Sequence, residues 1–124
     1  MLTQRQHSGR RAEDLAAEFL RARGCEILER NYRRRLGELD LVAREGGVLV
    51  IAEVRTRAPS AFGSAAASVD RRKQRRITRA AQQLLQQRAE LARFPVRFDV
   101  IVVSDLAAPR PRIEWIRHAF EAHA

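Results

Sequence analysis

Two carboxylates interrupt apolar runs of this 124-residue chain that otherwise have the pattern of sheet strands. Asp40 lies between two leucines, and Glu53 lies between an alanine and a valine. Arg55 follows two positions after Glu53, so strand alternation places these two side chains on one face. Because a charged group is costly to bury without a partner, the pattern indicates a site for chemistry. The structural alternative is a surface acid pair neutralised by nearby arginines.

The two acids lie on consecutive predicted strands that are joined by a turn containing two glycines. A hairpin that closes symmetrically about Glu45 and Gly46 pairs Asp40 with Ile51. Asp40 and Glu53 are then diagonal neighbours on one face, roughly 7–8 Å apart, and both can reach one cation. The placement of both acids on one face depends on the register, because a one-residue bulge would move Asp40 to the opposite face.

Two further residues are predicted to approach the acid pair from helices. Lys73 is the single lysine among 24 lysines and arginines, and it precedes Ile77 by four residues on the apolar stripe of a helix. Glu13 borders the apolar face of the first helix, next to Ala12. A solvated helix position is the simpler interpretation of Glu13.

This combination of residues is typical of phosphodiester hydrolysis. Carboxylates bind Mg²⁺, with Mn²⁺ as an alternative ion, and such a metal lowers the pKa of a bound water. A neighbouring cation stabilises the charge that develops on the phosphate. Arg55 can supply that charge but cannot act as a base, because a guanidinium stays protonated. If a proton must be transferred, Lys73 is the side-chain amine that the chain offers.

The hydrophobic periodicity predicts the element order α-β-β-β-α-β-β in an α/β fold, with a central mixed β-sheet flanked by helices. The second helix is long enough to connect two parallel strands. The first helix is predicted to begin with Ser8 as its cap and to stop at Gly24. The remaining predictions are a strand at CEILERN followed by a turn at 33–35, strands at 38–43 and 48–55, a loop at 58–68, a helix at 69–93, a strand at VRFDVIVVS, an edge strand at RIEWI and a C-terminal tail.

Four other residues are assigned structural roles. Asp99 interrupts an apolar strand, and Arg97 on the same face is a suitable ion-pair partner. Trp115 is predicted to pack or to contact a second copy, and the single cysteine, Cys25, is predicted to be a small buried group.

The formal net charge of +9 predicts a polyanionic partner, with nucleic acid first. Aromatic residues make up only 6% of the chain, which favours duplex or branched DNA over single strands. The residues predicted to contact DNA phosphates are Arg33, Arg34, Arg35, Arg57, Arg71, Arg72, Arg75 and Arg76. Solvated surface is the alternative for these runs.

The length predicts one domain spanning residues 1–124. The longest uncharged apolar run, at 48–52, is too short to span a membrane, so no membrane partner is expected. The N-terminal region has no apolar signal segment, which predicts a cytoplasmic protein.

Several motifs together resemble the YraN family of small bacterial proteins, from about residue 9 to residue 120. They are G-x-x-A-E-x-x-A at residues 9–16, RNYR, GELDLV, AEVRTR, Phe62-Gly63, Lys73, RFDV and HAF. The family is likened to PD-(D/E)xK nucleases and to archaeal Holliday junction resolvases. The resemblance implies a restriction-endonuclease-like fold in one nuclease-like domain. Asp40 and Glu53 match the two acids, Glu13 matches a helix-borne acid of resolvase-like branches, and Arg55 replaces the usual lysine.

The sequence therefore predicts a DNA-binding, metal-dependent endonuclease that resembles Holliday junction resolvases. Its predicted catalytic residues are Asp40, Glu53, Arg55, Lys73 and Glu13, and its metal ligands are Asp40 and Glu53. Cutting a symmetric junction needs two sites, which predicts a homodimer. The alternative is a nucleic-acid-binding module without catalysis, which Arg55 favours. A third class, an adaptor for acidic proteins or membrane surfaces, fits the charge but leaves the strand carboxylates unexplained.

Overall fold

A computed structural model describes residues 3–57 and 69–122 of the chain. The predicted loop at 58–68, including Phe62 and Gly63, lies outside the described residues. The described elements confirm the order α-β-β-β-α-β-β. They are α1 (Gln4–Ala22), β1 (Glu26–Arg34), β2 (Gly37–Glu45), β3 (Val48–Arg57), α2 (Arg71–Gln87), the short 3-10 helix Ala89–Leu91, β4 (Val96–Ser104) and β5 (Arg112–Phe120).

The five strands form one mixed sheet in the order β1-β2-β3-β4-β5. β3 and β4 pair in parallel, as predicted for strands joined through a long helix, and the other neighbours are antiparallel. One apolar cluster contains α2 residues such as Ile77 and Leu84, and a second contains α1 residues such as Ala16 and Leu20. The helices therefore cover opposite faces, which confirms an α/β architecture.

The start of α1 was predicted wrongly at Ser8. Thr3 is the N-cap, because its side chain accepts a hydrogen bond from the Gln6 N–H while the Gln6 side chain accepts one from the Thr3 N–H. This capping box adds a polar turn before the apolar face begins. At the other end, Gly24 has a φ of +88°, which confirms it as the stop.

α2 is shorter than the predicted 69–93 because the backbone of Arg88 leaves the helical region. Asp70 is its N-cap and accepts a hydrogen bond from the Lys73 N–H at 2.8 Å. The predicted apolar stripe is confirmed, since Ile77 and Leu84 are buried. Gly37 of β2 packs so closely on α2 that a side chain there would overlap the carbonyl oxygen of Arg76. This contact fixes the first turns of α2 over the sheet.

The predicted register of the β2–β3 hairpin was wrong. Ile51 pairs with Val42 rather than with Asp40, and the loop consists of Gly46 and Gly47. Gly46 has a φ of +58°, which suits a two-residue hairpin loop. The pairing is displaced by two residues, and an even displacement preserves the faces of the paired residues 41–45.

Two strands extend further than predicted. β1 includes Arg33 and Arg34, although the sequence predicts a turn at 33–35. β5 runs to Phe120, so residues 117–120 of the predicted tail form part of a strand. Its pairing with β4 is irregular between Phe98 and Val100, and His118 there has a φ of +50°.

The β5 irregularity allows the backbone to hydrogen-bond Asp99. This carboxylate is fully buried, and it accepts hydrogen bonds from Arg97, from the Trp115 indole and from the His118 N–H at 2.8–2.9 Å. The predicted Arg97–Asp99 ion pair is confirmed. Trp115 also packs edge-on against Phe19, with ring centroids 6.3 Å apart.

Two smaller observations bear on the sequence predictions. Cys25 is buried with 5% of its surface exposed, as predicted. Within the described residues, neither helix has the length and apolar character needed to cross a membrane.

Candidate active site

The regular alternation of side chains along β2 is interrupted at Asp40. The residues before and after Asp40 therefore do not follow one pattern of facing α1 and α2. Strict alternation would place Leu39 on the same face as Leu41 and Ala43, but Leu39 packs in the α2 cluster while the other two pack in the α1 cluster. The pairing of β2 with β3 ends at Leu41. On β1, Asn31 has a φ of +52° at the corresponding level. The sheet is therefore irregular beside Asp40, and the strands separate there.

The carboxylate of Asp40 bonds to the backbone where the strand pairing ends. Its Oδ2 accepts a hydrogen bond from the Val54 N–H at 2.9 Å. Burial raises the pKa of Asp40, while hydrogen bonds from Val54 and from the Glu53 carboxyl group act against this rise. The two acids thus lie within hydrogen-bonding reach, as the sequence predicts, although the register is different.

Glu53 is the more buried acid of the two, with 5% of its surface exposed. The Lys73 ammonium lies 3.0 Å from Glu53 Oε1, which confirms that α2 brings its lysine to the acid pair. Burial and the nearby charge of Asp40 raise the pKa of Glu53 to about 7, although Lys73 and Arg55 oppose the change. Near neutral pH the acid pair therefore has a strong tendency to hold a proton.

One cavity of about 520 Å³ contains all five predicted catalytic residues, and we call it the carboxylate cavity. β2 and β3 provide its floor, α1 provides Glu13, and α2 provides Lys73. The charged residues that line it are Glu13, Glu38, Asp40, Glu53, Arg55 and Lys73. The fold thus brings together groups that lie as far apart in the chain as residues 13 and 73.

Glu13 contributes a carboxylate from the α1 side. Burial, followed by the charge of Asp40, raises its pKa, while Arg30, Arg33 and a hydrogen bond with Asn31 lower it. Its Oε1 atom is buried and accepts no hydrogen bond from any group that the structure describes. A buried oxygen of this kind is normally satisfied by a water or an ion.

Asn31 and Glu38 are site residues that the sequence did not reveal. Glu38 lines the carboxylate cavity, and its charge contributes to the raised pKa of Asp40. Asn31 lies against Glu13 in a neighbouring cavity. A signal for Asn31 was present, since asparagine is favoured at positive φ and occurs within an otherwise regular strand.

The predicted DNA-contacting arginines are distributed unevenly around the site. Arg72 and Arg76 line a cavity of about 340 Å³ that also contains Lys73, and Arg33 lines one of about 260 Å³ beside Glu13. Arg34 instead lies over the Tyr32 ring and bonds to Gln87. The others are Arg35 in the β1–β2 turn, Arg57 at the end of β3, and Arg71 and Arg75, which are exposed on α2.

The donor set of the carboxylate cavity fits a divalent cation. Asp40 and Glu53 supply hard oxygen ligands, and the orphaned Glu13 oxygen is available to a metal-bound water. Within residues 3–57 and 69–122, no three acidic, histidine or cysteine side chains converge as a complete ligand set. Mg²⁺ keeps several waters and needs only one or two carboxylates, which Asp40 and Glu53 can supply.

Comparison with known proteins identifies the family. A family model described as "Uncharacterised protein family UPF0102" matches residues 12–103. A UPF0102 protein of Methylococcus capsulatus is 51% identical over 116 residues, covering 93% of this chain and 91% of the relative. A UPF0102 protein of Pseudomonas aeruginosa is 47% identical, covering 92% of each, and one of Stutzerimonas stutzeri is 44% identical, covering 98% of this chain and 100% of the relative. The chain belongs to the uncharacterised protein family UPF0102, which is the YraN family that its motifs resemble.

Proposed function

We propose that this protein is a metal-dependent endonuclease that hydrolyses phosphodiester bonds in duplex or branched DNA. The observation that carries the proposal is the pair of buried carboxylates, Asp40 and Glu53, held together beside two cations in one cavity. Burial raises the pKa of both acids, and repulsion from the Asp40 carboxylate adds to the rise at Glu53. A divalent cation would relieve that repulsion more effectively than a shared proton.

The proposal includes a restriction-endonuclease-like fold. The five-stranded mixed sheet, the helices on both faces and the acids on β2 and β3 support this assignment. The strand irregularity at Asp40 directs a carboxylate into the cavity, where it meets the acid of the neighbouring strand.

Asp40 and Glu53 would hold the metal, and Glu13 would orient a water from the α1 side. Mg²⁺ or Mn²⁺, when bound, supplies charge neutralisation at the phosphate and a water of lowered pKa. Arg55 and Lys73 donate hydrogen bonds to the phosphate oxygens and stabilise the charge that builds there. Lys73 is the side-chain amine at the site and can also transfer a proton, which Arg55 cannot do.

The second candidate is a DNA-binding module that has lost catalysis. The observation that favours it is the 3.0 Å contact between Lys73 and Glu53, in which an ammonium already pairs with an oxygen that a metal would need. The arginine at position 55 supports the same alternative. In this case Lys73 and Glu53 would form a permanent ion pair, and the surrounding arginines would bind DNA.

Cleavage of labelled DNA separates the two candidates. Linear duplexes and four-way junctions are incubated with the wild-type protein and with Asp40→Ala and Glu53→Ala, in Mg²⁺ or Mn²⁺. We expect wild-type cleavage and at least a 100-fold loss in each variant, in line with the loss of a group that stabilises the transition state. Glu18→Ala, on the exposed face of α1, is the matched control and should cleave normally.

Equal cleavage by all four proteins would exclude the carboxylate cavity as the active site. Binding without cleavage by the wild type, in either metal, would favour the module. Absence of DNA binding at low salt would overturn both candidates.

A further inference from the structure

The carboxylate cavity lies between two other cavities, each of which shares lining residues with it. On the α2 side it shares Glu38 and Lys73 with the cavity that Arg72 and Arg76 line. On the α1 side it shares Gly9 and Glu13 with a third cavity. The two flanking cavities therefore border the carboxylate cavity through shared residues, and we call the row of three cavities the groove.

The third cavity, which we call the α1 cavity, has the chemistry of an anion site. Its volume is about 260 Å³, and its polar lining consists of Gln6, Arg10, Glu13, Asn31 and Arg33. Two guanidinium groups and two side-chain amides face one carboxylate, so hydrogen-bond donors predominate. Guanidinium groups match phosphate oxygens in geometry and charge.

The two arginines of the α1 cavity are weakly engaged within the protein. Arg10 is exposed and forms no ion pair with any residue of the described part of the chain. Arg33 contacts Glu38 at 3.5 Å, but its side chain is 73% exposed. An exposed pair at this distance contributes little stability, so Arg33 can exchange it for a phosphate.

We propose that Arg10 and Arg33 form a phosphate-binding subsite that holds the DNA backbone on the α1 side of the scissile bond. Arg72 and Arg76 hold it on the α2 side, so the strand crosses the carboxylate cavity between two pairs of arginines. The subsite rests on the proposed function, because it requires DNA in the groove. It assigns to Arg10 a role that the sequence pattern did not suggest, and it distinguishes Arg33 from its neighbours Arg34 and Arg35.

The test measures how DNA affinity depends on salt. The dissociation constant of a labelled duplex is measured in EDTA between 50 and 200 mM NaCl for the wild type and for Arg10→Ala/Arg33→Ala. The loss of two phosphate contacts should make the slope of log K against log [NaCl] shallower by about 1.8, and each single variant should account for about half. Arg10→Lys/Arg33→Lys should restore most of the slope, because lysine keeps the charge.

The matched control is Arg44→Ala/Arg93→Ala, which removes the same charge from the opposite end of the sheet. Both arginines are exposed, and both lie against Phe94 near the β2–β3 hairpin loop. This variant should keep the wild-type slope. Thermal melting of every variant establishes that each one is folded.

A second readout locates the subsite on the DNA. Single phosphates around the mapped cut are replaced in turn by neutral methylphosphonates. At one position that flanks the cut, the replacement should lower the DNA affinity of the wild type. The DNA affinity of Arg10→Ala/Arg33→Ala should be unchanged by the same replacement.

The outcomes separate the subsite from the proposed function. If the Arg10/Arg33 variant keeps the wild-type slope, the subsite is wrong although DNA binding stands. If the wild type binds DNA without cutting it and the slope falls as expected, the subsite stands and the endonuclease does not. If the wild type does not bind DNA at 50 mM NaCl, both fail.

Discussion

At the scale of single residues, the raised pKa of Glu53 makes the acid pair a source of instability near neutral pH. The pKa of Glu53 rises from an ordinary value of 4.5 to about 7 because of burial and the charge of Asp40. Between these two values the folded protein holds a proton that the unfolded chain has lost. The free energy of unfolding therefore falls as the pH rises through this window, by an amount on the order of 3 kcal/mol.

Replacing Glu53 by glutamine should remove this pH dependence. In EDTA, the unfolding free energy of Glu53→Gln relative to wild type should increase from pH 5 to pH 8, because glutamine cannot ionise. Urea denaturation at the two pH values measures the difference, and the exposed Glu18→Gln should show no comparable change. A Glu53→Gln effect that is identical at both pH values would contradict the raised pKa.

Lys73 should compete with a metal for Glu53. Its ammonium lies 3.0 Å from Glu53 Oε1, so a bound cation must displace it or share the oxygen. Lys73→Met should therefore raise the affinity for Mn²⁺, measured without DNA. We expect an increase of about tenfold, which corresponds to about 1.4 kcal/mol of binding free energy. Calorimetric titration measures the affinity, with Arg75→Met, on the exposed face of α2, as the control. An unchanged or weaker affinity for Mn²⁺ would show that Lys73 is not a competitor.

At the scale of elements, the close contact between β2 and α2 positions Lys73, Arg72 and Arg76 over the site. Gly37 permits this contact, because a side chain at that position would overlap the Arg76 carbonyl oxygen. Backbone atoms cannot move aside as the end of a flexible side chain can. Gly37, the glycine of the GELDLV motif, thus contributes to the site by allowing α2 to pack closely on β2.

Gly37→Ala should displace α2 and lower the unfolding free energy by about 1–3 kcal/mol, the usual cost of overpacking. DNA affinity should fall as well, since three cations move with the helix. Gly47→Ala is the matched control, because a side chain there meets no atom within 4 Å. Equal stability of the two variants, measured by urea denaturation, would argue against the contact.

At the scale of the whole molecule, a net charge of +9 coexists with a local concentration of acids at the carboxylate cavity. The positive surface attracts a polyanion over long distances, and the acid pair repels it unless a cation is present. A divalent ion would therefore strengthen the contact between the scissile phosphate and the acid pair, whereas the flanking arginines bind the DNA backbone without it.

Two copies of the protein should bind one four-way junction. Each described chain supplies one Asp40–Glu53 pair, whereas a symmetric junction is resolved by two cuts. Mass measurement of the complex in Ca²⁺ should give two chains per junction. A single chain per junction, at concentrations that saturate binding, would contradict the homodimer.

Much of this arrangement was predictable from sequence because it depends on short-range periodicity. The alternation of β3 placed Glu53 and Arg55 on one face, and the helical stripe through Ile77 directed Lys73 towards the sheet. The hairpin register was predicted wrongly because it depends on which residues form the turn, and four turn residues allowed more than one closure. The acid pair still forms, although the regular pairing ends at Leu41 and β2 changes phase at Asp40, which the predicted register did not include.

The sequence by itself determined the element order, the faces of the two helices and of β3, and the presence of two acids and one lysine at suitable spacings, because periodicity is a local property of the chain. Tertiary structure alone decided that β2 changes phase at Asp40, that Asn31 and Glu38 join the site, and that Arg10 and Arg33 share a cavity beside Glu13. These features arise where β1, β2 and α1 are in contact. Contacts between segments that are distant in the chain cannot be predicted from a local sequence pattern. The chemistry of the acids could therefore be predicted from the sequence, whereas the groove that passes over them could be described only from the tertiary structure.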